Sequence, residues 1–205
     1  MTANPSAYLL SIVVPALGLF LGCHQVAIWA GRKPSAVMSR VLLLFCLLVV
    51  GMPVDSLSIA RRLAGLVPGF SIPFTVLLVH ATLHRCGGSD LLRRSDLSSL
   101  WRFGLVGGLV LYPSALGLGN WDPYTMGWEF SALFGIVGVL TASLIVRGNR
   151  LGWVLFVAIV AWQLRLLEST NYWDYLLDPV YFLVALPRVL LGFWAPQPAV
   201  AAGPP

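Results

Sequence analysis

Long apolar runs constrain this chain more than any other feature of its sequence. A helix needs about 20 apolar residues to cross the hydrocarbon core of a bilayer. The chain of 205 residues contains seven runs close to that length, at residues 7–30, 41–60, 66–84, 101–118, 128–146, 150–168 and 179–195. The pattern predicts an all-α, polytopic membrane protein with seven transmembrane helices in a single domain, residues 1–195. Residues 196–205, rich in Pro and Ala, are predicted to form a disordered tail.

Six transmembrane helices are the alternative. The third run is interrupted by Pro68, Gly69 and Pro73, and the seventh is short, with Pro187 near its middle. Because a proline removes a backbone donor and clashes with the preceding turn of a helix, either run would be re-entrant or interfacial in this alternative.

The composition supports a membrane location. The chain is 58% hydrophobic and 10% charged, whereas soluble domains contain about 25% charged residues. Arginine outnumbers lysine twelve to one, a bias that we associate with GC-rich bacterial genomes. The predicted location is therefore the bacterial inner membrane, and the predicted partners include the lipid bilayer. The net charge of +5 is interpreted as a signal of topology rather than of nucleic-acid binding.

The basic residues orient the predicted helices, because cytoplasmic loops carry an excess of Lys and Arg. With the N-terminus outside, nine of the 13 basic residues fall on the inner side: Arg32, Lys33, Arg40, Arg85, Arg93, Arg94, Arg102, Arg147 and Arg150. Six of the eight acidic residues then fall on the outer side: Asp55, Asp122, Glu129, Glu168, Asp174 and Asp178. The sequence therefore predicts an outside N-terminus and an inside C-terminus, with Arg61 and Arg62 as the exceptions.

Glycines in the fourth and fifth runs predict close packing between helices. Small residues let the backbones of two membrane helices approach each other. The residues concerned are Gly104, Gly107, Gly108, Gly135 and Gly138.

Two segments rich in acids and aromatics interrupt the apolar pattern, and the predicted topology places both outside. The longer one covers residues 168–179 and the shorter one residues 120–124. Both contain Asp followed by Pro, which is typical of a helix start, because Asp accepts hydrogen bonds from free N–H groups and Pro fits the first helical position. Asp122 and Asp178 are therefore predicted to be the N-caps of the fifth and seventh spans.

The combination of aromatic rings and acids also predicts a binding site. Rings cover the apolar faces of a polyhydroxylated ligand, while carboxylates accept hydrogen bonds from its hydroxyls. The candidate ligand-binding residues are Trp121, Asp122, Glu168, Asn171, Trp173 and Asp174. A glycan, a lipid-linked sugar or a protein partner would suit such a surface. Two alternatives stay open: an aromatic belt at the membrane interface, and a cation site whose spacing differs from that of the calcium loop.

Three charged residues are predicted to lie within the hydrocarbon region, namely Asp55, Arg165 and Arg188. Charge at that depth is unfavourable unless it is paired. Arg165 and Glu168 are three residues apart, so they would pair on one helix face. Asp55 and Arg188 would then pair across helices, either as a structural contact or as part of a transport path.

No cofactor or metal is predicted. His80 and His84 share a helix face and His24 lies at a similar depth, but a metal or haem site would need further ligands. The cysteines Cys23, Cys46 and Cys86 lack CxxC spacing. The sequence contains no Gly-x-Ser-x-Gly, His-Glu-x-x-His or Gly-rich phosphate loop.

Three functions compete on this basis. The sequence favours a non-catalytic protein whose outer loops bind a partner or a glycan-type ligand, as an accessory to envelope assembly. The second hypothesis is a small membrane enzyme that uses Glu168 and Asp174 on a lipid-linked substrate. The third is a transporter that uses Asp55, Arg165 and Arg188; at this length a transporter would need a second copy of the chain, as a homo-oligomer.

Overall fold

The computed structural model describes residues 5–54, 57–64, 69–118 and 121–194, and these residues are mainly helical. The long helices are α1 (Pro5–Trp29), α2 (Ala36–Gly51), α4 (Ile72–Arg85), α5 (Arg94–Ala115), α6 (Ala132–Val146), α7 (Arg150–Gln163) and α9 (Pro179–Trp194). The short elements are β1 (Pro53–Val54), β2 (Leu57–Ser58), α3 (Ile59–Ala64), a 3-10 helix (Pro123–Gly127) and α8 (Trp173–Leu176). The predicted tail, residues 196–205, lies outside the described residues.

Each of the seven predicted apolar runs overlaps one of the long helices, so the helical fold class is confirmed. Most helix bounds differ from those of the runs by several residues, and the second and third runs differ for a clear local reason. The second run is divided after Gly51, where Pro53 enters an antiparallel pair of two-residue strands and α3 follows. The third helix, α4, starts only at Ile72, because the side chain of Ser71 accepts a hydrogen bond from the N–H of Phe74 and caps it.

Length separates α1 from the other apolar helices. Within the described residues, Ala7–Trp29 is the one helical segment that is long and apolar enough to cross a membrane. The apolar parts of α2, α6, α7 and α9 contain between 10 and 17 residues each. The predicted number of seven transmembrane helices is therefore not established by helix length.

Three loops lie at one end of the bundle, which we call the basic end (residues 30–35, 86–93 and 147–149). They contain Arg32, Lys33, Arg93 and Arg147, and Arg40, Arg85, Arg94 and Arg150 lie in the helix turns next to them. Arg40, in the first turns of α2, donates from Nε to the carbonyl oxygen of Cys86 at 3.1 Å. Arg150, at the start of α7, donates to the carbonyl oxygen of Leu91 at 2.5 Å. These contacts connect the loop after α4 to the N-terminal turns of α2 and α7.

A buried aspartate organises the same end. Asp96, in the first turn of α5, accepts from the N–H of Arg93 at 2.9 Å and from the N–H of Arg150 at 3.1 Å. It therefore caps α5 and α7 together, a role that the sequence analysis does not predict. One turn further along α5, the hydroxyl of Ser99 accepts from the side-chain amide of Asn149 at 2.8 Å.

The opposite end, which we call the acidic end (residues 69–71, 121–131 and 164–178), contains both polar and aromatic segments. The N–H of Tyr172 donates to the carbonyl oxygen of Gly127 at 2.9 Å. The two segments, which the sequence predicts on the same side of a membrane, therefore contact each other at one end of the bundle. Asp122 caps the 3-10 helix rather than a long helix, because α6 starts later, behind its own cap Ser131. The predicted role of Asp122 as N-cap of the fifth span is therefore wrong.

The main core lies between α4, α5, α7, α8 and α9. Gly104 and Gly108 let α9 approach α5, since a Cβ atom would lie 2.6 Å from the ring of Tyr181 and 2.0 Å from that of Phe182. The hydroxyl of Tyr181 donates to the carbonyl oxygen of Leu100 within the same contact. Close packing is thus confirmed for two of the predicted glycines. It is wrong for the two glycines of α6, Gly135 and Gly138, which face no heavy atom within 4 Å among the described residues.

Candidate functional site

Asn171 and Trp173 hold the two segments of the acidic end together. Asn171 is buried; its amide donates to the carbonyl oxygen of Tyr124 at 3.0 Å, and its oxygen accepts from the N–H of Trp173 at 2.9 Å. The indole N–H of Trp173 donates to the carbonyl oxygen of Pro123 at 2.8 Å. Both side chains thus satisfy buried backbone groups. The prediction that they bind a ligand is replaced by a structural role, because the packing of the two segments covers them.

A stack of aromatic rings packs against the contact between the two segments. The rings of Tyr172 and Phe134 stack with their centroids 4.3 Å apart, and the indole of Trp162 lies 4.6 Å from Phe134. Trp162 also donates to the carbonyl oxygen of Thr170 at 2.9 Å. The segment after α7 is therefore fixed to α6 and α7 by aromatic packing as well as by hydrogen bonds.

The turn that follows α7 contains Arg165 and precedes Glu168, two residues that were predicted to lie on one helix face. Helix α7 ends at Gln163, and Arg165 adopts a left-handed backbone conformation with φ of 52°. Glu168 lies beyond this turn and is exposed. The prediction that Arg165 and Glu168 share a helix face is therefore wrong, because no helix contains both residues.

A cavity of about 680 Å³ opens beside this junction. Its wall contains four carboxylates, two tyrosines and two serines: Asp122, Glu168, Asp174, Asp178, Tyr112, Tyr124, Ser114 and Ser169. The rest of the wall is mostly apolar, with Leu111, Leu167 and Leu177 among the lining residues. Three of the predicted ligand-binding residues, Asp122, Glu168 and Asp174, thus border one cavity. Trp121 borders a different, apolar groove.

The four carboxylates differ in their surroundings. Asp174 is half-buried and accepts from the hydroxyl of Tyr124 at 3.0 Å. Asp122 and Glu168 are exposed, and Asp122 accepts from the N–H of Tyr124 at 3.0 Å. Asp178 is only 4% exposed. The cavity therefore combines one buried and one half-buried carboxylate with two that reach solvent.

Asp178 connects α4 to α9. One of its oxygens accepts from the N–H and from the hydroxyl of Ser71, at 3.0 and 2.7 Å, and the other accepts from the N–H of Tyr181 at 2.8 Å. The bond from Tyr181 confirms Asp178 as the N-cap of α9. The bonds from Ser71 are additional, and no sequence signal relates positions 71 and 178.

Electrostatics keep the Tyr124 hydroxyl protonated. Burial, followed by the charge and hydrogen bond of Asp174, raises the pKa of Tyr124 to about 12. Burial also raises the pKa of Asp178, although the hydrogen bonds from Ser71 and Tyr181 oppose this shift. At neutral pH Tyr124 therefore remains a donor, and the half-buried Asp174 is an acceptor that faces the cavity.

The arrangement is suited to accepting hydrogen bonds. Carboxylates provide only acceptors when ionised, and no basic residue lines the cavity within the described ranges. No group of three or more Asp, Glu, His or Cys side chains among the described residues is placed to hold a metal ion. A ligand with hydroxyl donors fits this wall, and one with a phosphate would meet repulsion.

The predicted intramembrane charge cluster does not assemble among the described residues. Arg165 lies at the acidic end, whereas Arg188 lies nine residues after the start of α9, roughly 14 Å along its axis. There Arg188 places its guanidinium 5.1 Å from the centroid of the Trp101 ring, at the level of the first turns of α5. Asp55, its predicted partner, lies outside the described residues.

Two polar residues of the cavity wall lie outside the two segments that the sequence indicates as a site. Tyr112 and Ser114 flank Pro113 in the last turns of α5. A polar residue on each side of a proline, inside an otherwise apolar helix, is the signal that would have indicated them. Proline interrupts the helix hydrogen bonds there, and the polar pair lies at the same level as the acidic segments.

Comparison of the chain with known protein families, with curated proteins and with solved structures finds no match.

Proposed function

We propose that this chain is a multi-pass protein of the bacterial inner membrane whose acidic end faces outward and binds a hydroxyl-rich, glycan-type ligand. The observation that carries the proposal is the cavity itself. It brings Glu168, Asp174 and Asp122 to one wall beside Tyr112 and Tyr124, so residues from distant segments converge on a volume within the range of small-molecule sites. A role as an accessory to envelope assembly follows from such binding.

Exposed apolar side chains support the membrane part of the proposal. Leu48 of α2 is 74% exposed, Val139 of α6 is 70% exposed and Leu191 of α9 is 70% exposed. Soluble proteins rarely expose contiguous apolar patches larger than a few hundred Å², because contact of apolar surface with water is unfavourable. Hydrocarbon tails around these helices would remove that cost.

The short helices are compatible with a membrane if the bilayer or the ends of the bundle adapt. Helix α6, with 15 residues, spans roughly 22 Å, less than the ~30 Å of an average hydrocarbon core. A short helix is accommodated by local thinning and by flanking residues that extend toward the interface. The aromatic residues of the acidic end and the arginines of the basic end provide such flanks.

The negative charge of the cavity wall favours neutral ligands over anionic ones. Asp174 and Glu168 favour hydroxyl donors over anions, and the ring of Tyr112 provides an apolar face in the same wall. A neutral sugar offers both features. For a lipid-linked ligand, the sugar rather than a phosphate would enter the cavity.

The experiment compares two lipids that differ only in the sugar. Detergent-solubilised protein is titrated with a monohexosyl diacylglycerol and with diacylglycerol itself, and native mass spectrometry counts the bound lipids. We expect the wild type to prefer the hexosyl lipid. The double variant Glu168→Gln, Asp174→Asn should lose about tenfold or more of that preference, because a hydrogen bond to a charged group contributes about 1.5 to 3 kcal/mol.

Glu129→Gln is the matched control, since Glu129 is an exposed acid of the same end that does not line the cavity. It should bind like the wild type. If the wild type shows no preference for the hexosyl lipid, or if the double variant and the control behave alike, the ligand site is refuted. If the acidic end binds a protein instead of a sugar, neither the wild type nor any variant should prefer the hexosyl lipid.

A second candidate function is catalysis on a lipid-linked substrate. It is favoured by the placement of Glu168 and Asp174 on one cavity wall, one exposed and one half-buried, because two carboxylates in different surroundings suit acid and base roles. Release of free hexose from the hexosyl lipid would support this function if Glu168→Gln abolishes it. Binding without release supports the non-catalytic role.

A further inference from the structure

An apolar groove of about 530 Å³ lies between α5 and α6, apart from the acidic cavity. The two helices are consecutive in the chain but diverge, and the groove fills the space between them. Leu151 of α7 and Leu176 of α8 form part of its floor, whereas Val106 of α5 and Ile136 of α6 line it and are exposed, at 61% and 64%. The groove is therefore open along the side of the bundle.

The length of the groove matches half of a bilayer. It extends along α5 from Ser99 to Val110, twelve residues of helix, or roughly 16 Å from the first to the last. The hydrocarbon core of a bilayer is about 30 Å thick, so one leaflet accounts for about half of that. The groove is thus long enough for an acyl chain that extends about the depth of one leaflet, and its far end is lined by Trp121, Pro123 and Met126 of the acidic end.

Polarity is confined to one end of the groove. All lining residues are apolar except Ser99 and Arg102, both near the basic end. The hydroxyl of Ser99 is engaged with Ser95 and Asn149. Arg102 is exposed and forms no ion pair within the described ranges, so its guanidinium is available to an anion at the mouth of the groove.

The volume of the groove distinguishes between occupants. A helix from a second copy, with a diameter of about 10 Å over the same length, would occupy on the order of 1,200 Å³. The groove provides less than half of that volume. An extended hydrocarbon chain is thinner than a helix and has no polar backbone groups that would need hydrogen-bond partners. It therefore fits the groove better than a helix does.

We propose that this groove binds one acyl chain of an anionic phospholipid of the inner leaflet, with the lipid phosphate held by Arg102. Guanidinium groups bind phosphate through paired N–H donors. The inner leaflet follows from the position of Arg102 toward the basic end. The inference depends on the membrane orientation proposed above, but not on the ligand of the acidic cavity.

The test is a lipid titration of full-length protein in detergent, read by native mass spectrometry. Dioleoylphosphatidylglycerol is the anionic, phosphate-bearing probe, and dioleoylglycerol, which has the same chains and no phosphate, is the neutral probe. We expect the wild type to bind the anionic lipid about tenfold more tightly, as one charge-assisted contact predicts. Arg102→Gln should remove this preference, while Arg147→Gln, an exposed arginine of the basic end that does not line the groove, should retain it.

A second pair of variants tests the acyl chain. Gly107 lines the groove, and a Cβ atom there would lie 3.5 Å from Leu177, an ordinary contact. Gly107→Leu should fill the groove and weaken binding of both lipids. Gly135→Leu, on an open face of α6 outside the groove, is the control and should bind like the wild type.

Each outcome decides the inference. Equal binding of the two lipids by the wild type, or an unchanged preference in Arg102→Gln, overturns the phosphate contact. Equal binding by Gly107→Leu and Gly135→Leu overturns the acyl-chain site. Failure of this inference is distinguishable from failure of the acidic cavity, because the groove variants should leave the preference for the hexosyl lipid unchanged.

Discussion

The two Asp-Pro motifs of this chain should differ greatly in their contribution to stability. Asp178→Ala removes the acceptor of three hydrogen bonds, from the N–H and hydroxyl of Ser71 and from the N–H of Tyr181, at a site that is 4% exposed. Asp122→Ala removes one bond, from the N–H of Tyr124, at an exposed site. The motif is the same, and the difference lies in burial and in the number of donors.

The magnitude follows from those donors. A buried donor that loses a charged acceptor costs about 1.5 to 3 kcal/mol, and the removed carboxylate no longer has to be desolvated, which offsets part of the loss. We therefore expect Asp178→Ala to lower the free energy of unfolding by about 3 to 5 kcal/mol. The exposed cap should cost about 0.5 to 1 kcal/mol in Asp122→Ala.

Asp178→Asn should fall between these values. An amide retains one acceptor oxygen but turns an N–H group toward either Ser71 or Tyr181, where a donor already points. The sequence motif alone would make Asn an adequate cap, with almost no loss of stability. We expect a loss of about 1 to 3 kcal/mol, because one buried donor stays unsatisfied.

The assay is equilibrium unfolding in mixed micelles, in which SDS is added to the detergent-solubilised protein and far-UV circular dichroism reports helix loss. Ser71→Ala combined with Asp178→Ala completes a double-mutant cycle and should show less than additive losses. Equal losses in Asp178→Ala and Asp122→Ala would refute the reasoning, because they would show that Asp178 acts only as a simple cap.

Two further predictions concern pH and packing. Burial and Asp174 raise the pKa of Tyr124 to about 12, so the stability that this tyrosine contributes should be complete below pH 10 and should decline as the pH rises from 10 to 12. The difference in phenolate absorbance between the wild type and Tyr124→Phe should place the titration of Tyr124 near pH 12. A titration near pH 10 would contradict its burial beside Asp174. Gly108→Ala should destabilise the fold by about 1 to 3 kcal/mol, since the new methyl group would lie 2.0 Å from the Phe182 ring. Gly135→Ala, which meets no heavy atom within 4 Å among the described residues, should instead be neutral or stabilise by up to about 1 kcal/mol; the melting temperatures of the two variants decide.

Hydrophobic length predicted the helices of this fold well. Each apolar run overlaps a long helix, because a long apolar stretch that is bounded by polar residues favours a buried helix over a strand. The helix ends were less predictable. Ser71 starts α4 several residues after the apolar run begins, and Pro53 ends the second run early, since caps and prolines act locally while the apolar pattern continues through them.

The cavity was predictable in part. Acid and aromatic content indicated Glu168, Asp174 and Asp122, and all three border it. Asn171 and Trp173 have the same residue chemistry, yet their side chains are used to join two backbone segments. The type of a residue determines which hydrogen bonds its side chain can form, but the partner depends on the fold. The sequence therefore could not distinguish the residues that hold the two segments together from those that line the cavity.

Two members of the predicted charge cluster, Arg165 and Arg188, lie apart for a different reason. Arg165 and Arg188 were grouped by their apolar neighbours, but the depth of a residue depends on where its helix begins. The turn at Arg165 and the start of α9 at Pro179 place the two arginines at different levels. Helix boundaries of this kind are the least reliable part of any sequence interpretation.

The proposed topology requires that the acidic end and the basic end of the bundle lie on opposite sides of a membrane. In a background without Cys23, Cys46 and Cys86, single cysteines are introduced at two exposed positions: Thr170→Cys at the acidic end and Ser95→Cys in the first turn of α5 beside the basic end. Spheroplasts are treated with a membrane-impermeant maleimide before and after permeabilisation. We predict that Thr170→Cys is labelled in intact spheroplasts, whereas Ser95→Cys is labelled only after permeabilisation. Labelling of both positions in intact spheroplasts, or of Ser95→Cys alone, would contradict the account.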